Sequence, residues 1–140
     1  MRFSQRSKDK LSSCHHELIL IMETAIETTE IDFGISEGHR SVERQKELFD
    51  EGKSKIDGVT KKGKHNYDPA LACDIYAYIG KVSWDDKHLI YLGGHIKGVA
   101  ALLKLQGKIT HDLRWGGNWD RDGVIISDQT FIDLPHFELK

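Results

Sequence analysis

The chain has 140 residues, 39% of them hydrophobic and 30% charged, the profile of one globular domain over residues 1–140 and not of a disordered segment. Its formal charge of −2 gives no electrostatic reason to expect nucleic acid as a partner. No run approaches the roughly 18 apolar residues of a membrane span, so no membrane partner is expected either.

The charged start, Met1-Arg2-Phe3-Ser4-Gln5-Arg6, is followed by no apolar stretch before Leu18, so no signal peptide is expected. The protein is then expected to be made in the cytoplasm. Leu11, Cys14, Leu18, Ile21, Met22, Ala25 and Ile26 recur at three- and four-residue steps, which predicts a helix over 11–26 capped by Ser12 or Ser13. A short strand follows over 31–36, and Gly38-His39-Arg40 turns out of it. Ser41 caps a second helix over 42–51, with Leu48 and Phe49 inward and Gly52 as its stop.

Residues 53–64 are polar, glycine-containing and lysine-rich, and read as a loop. A strand is predicted over 72–79. Asp85 or Asp86 opens a third helix that runs to about residue 105 despite Gly93, Gly94 and Gly98. Each of those glycines weakens a helix by about 1 kcal/mol relative to alanine unless close packing needs it. Short strands over 112–115 and 136–139 flank a long acidic loop. The sum is an α+β domain with helices over one antiparallel sheet. Cys14 and Cys73 match no Cys-x-x-Cys spacing, and two free, buried thiols are expected.

A catalytic zinc site needs three protein ligands and one open position. His65 ends the lysine-rich loop, Asp74 lies in the following strand, and Tyr67-Asp68-Pro69 supplies a turn between them. His136 would come from a neighbouring strand and complete a His/Asp/His set, a donor set that suits zinc. A lone histidine is ordinarily a surface or satisfied core residue, so the assignment depends on the motifs around these three.

Those motifs are Gly38-His39-Arg40-Ser41 with Gln45, the stretch from His65 to Ala72-Cys73-Asp74, and Arg114-Trp115-Gly116-Gly117 followed by Asp133-Leu134-Pro135-His136-Phe137-Glu138-Leu139. In this order they resemble the VanX/VanY-type D-alanyl-D-alanine peptidases, and most of all their phage branch, the L-alanyl-D-glutamate endopeptidases used as endolysins. The resemblance covers residues 11–139. It implies a hedgehog/D-Ala-D-Ala peptidase-like fold, zinc on His65, Asp74 and His136, Asp133 as general base, and Arg40 as the arginine that binds substrate and steadies the oxyanion. It further implies the peptidoglycan stem peptide as substrate and action on the cell wall after release, holin-dependent in a phage; a monomer is expected. The sequence departs from the commoner Ser-x-His pattern: Gly63 stands where serine is usual, and eight residues separate His65 from Asp74.

Asp133 and His136, three apart, would face opposite sides of an unbroken strand, and Leu134-Pro135 is expected to break that alternation. Ser41 reads as a helix cap and not a nucleophile. Gln45 either supports the site or faces solvent, and Trp115 and Trp119 either wall the cleft or pack in the core. His15, His16, His39, His88, His95 and His111 show no comparable partners and are left out of the site. Asn118-x-Asp120-x-Asp122-Gly123-Val124-Ile125 follows the first half of a calcium loop, with Gln129 at the twelfth position and Asp128 before it. Asn118, Asp120, Asp122 and Asp128 are thus candidate calcium ligands. Two other functions compete with the endopeptidase: a D-alanyl-D-alanine carboxypeptidase, and a zinc-containing wall-binding domain without catalysis.

Overall fold

The computed structural model describes residues 1–140, and its first helices depart from the sequence expectation. The predicted helix over 11–26 is two: α1 (Gln5–Leu11) and α2 (His16–Thr28). Ser12 and Ser13 end a helix instead of starting one, because their hydroxyls bond back to the Asp9 and Lys10 carbonyls, each at 2.6 Å. Cys14 then bridges to Ala70, and His15 begins α2 by accepting the Glu17 N–H on Nδ1 at 3.1 Å. Ser4 caps α1. Cys14 and Cys73 are buried free thiols.

The remaining elements are β1 (Asp32–Glu37), α3 (Val42–Asp50), a 3-10 turn at Lys64–Asn66, β2 (Ala72–Tyr78), β3 (Val82–Ser83), α4 (Asp86–Leu105), β4 (Leu113–Gly116) and β5 (Asp133–Leu139); all but the 3-10 turn and β3 follow the predicted order, with shifted ends. Ser41 caps α3 through the Arg44 N–H at 3.1 Å, and Asp85 caps α4. Leu48 faces inward, but Phe49 is 42% exposed; the other buried position of α3 belongs to Gln45, three residues before Leu48. The sheet is antiparallel throughout, in the order β1-β2-β5-β4, with β3 also on β2.

α1, α2 and α4 contribute to the core on one face of this sheet, while Gln45 and Leu48 of α3 line the cleft on the other. Leu18, Ile21 and Met22 of α2 and Leu92 and Ile96 of α4 bury against Ile75 and Phe137. Alternation along β2 sends Cys73, Ile75 and Ala77 into that core and leaves Asp74 on the opposite, open face. Gly93 sits where α4 crosses Trp115; a methyl there would overlap the indole, which explains one of the three helix glycines. Around Gly94 and Gly98 the space is open.

Candidate metal centre

Strand register decides which side chains meet on the open face. Asp74 of β2 pairs directly with His136 of β5, so both project to the same side at neighbouring positions. Glu138, two residues on, shares that side and faces Arg114 of β4. Regular pairing from Trp115 and Phe137 would set Gly116 against His136, yet Gly116 pairs with Asp133. This bulge re-phases β5, as expected of Leu134-Pro135, and brings Asp133 into the same cleft as His136. Only glycine fits at 116, because a Cβ would run into the Asp133 carbonyl.

His65 arrives from the 3-10 turn, whose Leu71 N–H to Lys64 carbonyl bond (2.9 Å) folds the segment back on itself. The peptide between Asp68 and Pro69, within the predicted turn, is cis. His65 and His136 are nearly buried, at 4% and 8% exposure, and their ring centroids are 5.1 Å apart. Potential ligand atoms of His65, Asp74 and His136 all lie within 4.8 Å of one another.

The outer nitrogens of the two rings fix the inner ones. His65 Nδ1 lies 2.8 Å from the Gly38 carbonyl, which can only accept, so Nδ1 carries the hydrogen and Nε2 is left as a lone pair 3.2 Å from Asp74 Oδ1. His136 Nε2 donates to Glu138 Oε1 at 2.8 Å, which turns Nδ1 toward the same Asp74 oxygen at 3.0 Å. Three acceptors therefore converge, and only a cation or an added proton reconciles them. The electrostatics agree. Burial pushes His136 down, but Asp74 and Glu138 outweigh it and raise its pKa to about 10. Asp74 is driven the other way: burial favours its neutral form, and the two imidazoles hold it far below the ordinary range. Glu138, buried but bonded to His136 and to Arg114 at 2.7 Å, is lowered to about 2. This donor set, with each imidazole oriented from behind, fits zinc.

The site lies in a cleft of about 770 Å³, on whose lining Asp133 and Arg40 also appear. Burial and the Asp74 charge push the Asp133 carboxyl up, against the pull of His136, His65 and Arg40. Arg40 grips both oxygens of Glu37, at 2.8 and 2.5 Å, and donates to Gln45 Oε1 at 2.9 Å. Its NH2 group also stands 3.6 Å from Asp74 Oδ2. Gln45, 2% exposed, answers the open question about its role. It ties Arg40 to the lysine-rich loop by donating to Ser54 Oγ at 2.7 Å and to the Ile56 carbonyl at 2.6 Å.

The profile of the phage L-alanyl-D-glutamate peptidase family matches residues 1–140. The chain belongs to this family. It is 29% identical over 115 residues to the peptidoglycan L-alanyl-D-glutamate endopeptidase CwlK of Bacillus subtilis (strain 168), covering 78% of this chain and 61% of that protein. The chain thus spans about three fifths of this curated relative's length. The crystal structure of the Serratia marcescens L-Ala D-Glu endopeptidase ChiX superimposes with a TM-score of 0.78 at 26% identity, over 100% of this chain and 90% of that one.

Within this phage peptidase fold the two tryptophans divide the roles left open. Trp115 is core, its Nε1 bonded to the Leu134 carbonyl at 2.7 Å. Trp119 lines the cleft, its ring 5.3 Å from His136 and stacked on Phe131. In the acidic loop Asp120, Asp122 and Asp128 gather within 4.8 Å, exposed. Asn118 Oδ1 is buried without a hydrogen-bond partner, and Gln129 turns into the sheet, bonding Trp119 N–H and the Gly116 carbonyl.

Sequence reasoning missed Glu37, which holds Arg40 from three residues away, and Glu138, which holds His136 on its own strand and Arg114 on the next. It also set aside His15 and His111, yet these meet around buried Glu17. There each Glu17 oxygen already accepts two hydrogen bonds, from the Thr110 and His111 N–H groups (2.5 and 3.1 Å) and from the Thr110 hydroxyl and His111 Nδ1 (2.9 and 3.1 Å). That cluster pins the segment after α4. His88 bonds Ser83, and His95 bonds the Ala25 carbonyl, both away from the cleft.

Proposed function

We propose that the chain is a zinc-dependent endopeptidase that cuts the L-alanyl-D-glutamate bond of the peptidoglycan stem peptide. In this reading it is a monomeric phage endolysin, made in the cytoplasm and acting on the cell wall after release. The observation that carries the reading is the convergence of His65 Nε2, His136 Nδ1 and an Asp74 oxygen inside a cleft. Family membership supports the choice of bond.

Held by these three groups, zinc supplies Lewis acidity, lowering the pKa of a water toward about 7 and polarising a carbonyl. Glu138 and the Gly38 carbonyl keep the imidazoles aimed. Asp133 takes the proton of the attacking water and returns it to the leaving amine; a carboxyl raised by burial is suited to both halves of that transfer. Arg40, with three of its N–H groups spent on Glu37 and Gln45, keeps the others for the substrate's developing negative oxygen. Calcium on Asp120, Asp122 and Asp128, with Asn118, belongs to the same proposal, since it would order the segment leading into Asp133.

Digestion of purified sacculi followed by mass spectrometry tests the reading. New N-terminal D-glutamate is expected. Loss of one terminal alanine would indicate a carboxypeptidase, and unchanged sacculi a wall-binding domain. Chelation should abolish the digestion and zinc restore it. Calcium titrated into the chelated, zinc-restored protein should raise activity or stability, and a flat response removes calcium. Asp133→Ala is expected to keep its zinc and lose about 100- to 10,000-fold in turnover; wild-type turnover would place the base elsewhere.

A further inference from the structure

The cleft is electrostatically lopsided. Although the whole chain carries a formal charge of −2, one wall of the cleft presents Lys53, Lys55, Lys61, Lys62 and Lys64. Of the four acids opposite, Glu37 is committed to Arg40, Glu138 to Arg114 and His136, and Asp74 to the two imidazoles, which leaves Asp133, the proposed base, as the one without an ion pair. Lys53 is paired with Glu51 at 3.0 Å. Lys55 and Lys62 rest instead on aromatic faces, 5.0 Å from the Phe131 ring and 4.4 Å from the Tyr67 ring. A ring face holds an ammonium in place without neutralising it.

The loop bearing these lysines is fastened at several points. Asp57 accepts the N–H groups of Val59, Thr60 and Lys61 at 2.9, 2.8 and 3.2 Å, and the Thr60 hydroxyl at 2.6 Å. Gln45 holds Ser54 and Ile56, and Asn66 Oδ1 accepts the Gly63 N–H at 2.8 Å. Lys61, Lys62 and Lys64 lie within four residues of the candidate ligand His65 in sequence, so their charge stands at the mouth of the metal centre. A wall of lysines without ion-pair partners, two of them held on aromatic faces, beside a peptide-cutting site calls for a substrate with a carboxylate near the scissile bond.

We propose that Lys55, Lys61, Lys62 and Lys64 form a carboxylate subsite that takes the free α-carboxylate of the D-glutamate on the leaving side of the cut bond. This rests on the endopeptidase reading above. D-Glutamate linked onward through its γ-carboxyl keeps an ionised α-carboxylate one carbon from the scissile nitrogen, where amidation to isoglutamine erases the charge. The enzyme therefore prefers acidic over amidated stem peptides.

The test compares steady-state kinetics on synthetic L-alanyl-γ-D-glutamyl-L-lysine and its D-isoglutaminyl counterpart, for the zinc-loaded protein and a Lys61→Gln/Lys62→Gln variant. The amidated peptide is expected to show a KM about tenfold higher with kcat little changed, the weight of two exposed charge pairs. The variant should raise KM for the acidic peptide and narrow the gap, and high salt should do the same. Equal KM values for the two peptides in the wild-type protein would overturn the subsite while leaving the endopeptidase reading intact. If neither peptide is cut, that reading falls and takes the subsite with it. A variant that loses retention on poly(glycerol phosphate) but keeps the full KM gap would instead assign the wall to an anionic polymer.

Discussion

Three glycines in α4 give a prediction with opposite signs at adjacent positions. Gly94 and Gly98 face open space, so alanine there gains helix propensity and meets nothing. Each substitution should stabilise by about 1 kcal/mol. Their Cβ atoms would point into solvent, so the pair should be close to additive, at about 2 kcal/mol. With an unfolding entropy of about 2.1 cal/mol/K per residue over the whole chain, 1 kcal/mol corresponds to about 3 °C in Tm. Gly93 is one residue away, but its Cβ would enter the ring of Trp115, which is buried and anchored to the Leu134 carbonyl. Overpacking costs of about 1 to 3 kcal/mol exceed the propensity gain, and Gly93→Ala should lower Tm by several degrees. Thermal denaturation by circular dichroism at 222 nm reads all three variants. A neutral or stabilising Gly93→Ala, or a destabilising Gly94→Ala, would refute the packing assigned to α4 against Trp115.

Glu17→Ala should cost about 3 kcal/mol in urea denaturation, because two backbone N–H groups lose a charged acceptor. Burial raises the Glu17 carboxyl, but the His111 and Thr110 N–H groups and side chains more than offset it and bring its pKa to about 2 from 4.5. A carboxyl lowered on folding stabilises fully above its unfolded pKa and loses that contribution as pH falls through the folded one. The deficit of Glu17→Ala should therefore shrink between about pH 4.5 and 2; a deficit constant over that range would contradict the role given to the charge. Glu138→Ala releases His136 Nε2 and should weaken zinc binding by about 10- to 100-fold in competition with a chromogenic chelator. Unchanged affinity would show that the ring needs no such support.

Much of this architecture is readable from residue order because its signals are local. The three- and four-residue periodicity of Leu18, Ile21, Met22 and Ala25 is α2, the alternation through Cys73, Ile75 and Ala77 is β2, and Ser41 and Asp85 are caps. The start of the first helix misled because serine serves both helix ends: Ser12 and Ser13 resemble N-caps in sequence, while their hydroxyls bond backward to carbonyls. The donor set of the metal centre was proposed from His65, Asp74 and His136, whose residue types carry the chemistry. Glu138 meets Arg114 only through strand register, and the Gly38 carbonyl meets His65 across 27 residues; Glu37 is near Arg40 in sequence, but nothing in residue order says that its carboxylate turns back onto that guanidinium. Glu17 and His111 show the same limit, since 94 residues separate partners joined by direct hydrogen bonds.

The crossing of Gly116 and Asp133 also bears on how this scaffold tolerates change. The segment between them leaves and rejoins the sheet at one backbone contact, so its ends are clamped whatever its interior does. The exposed tip at 120–125 can be lengthened without altering the spacing of Asp133, His136 and Glu138 along their strand, whereas Gly117, Trp119, Gln129 and Phe131 are tied to the core and the cleft. A single side chain added at Gly116 would unlatch both ends together.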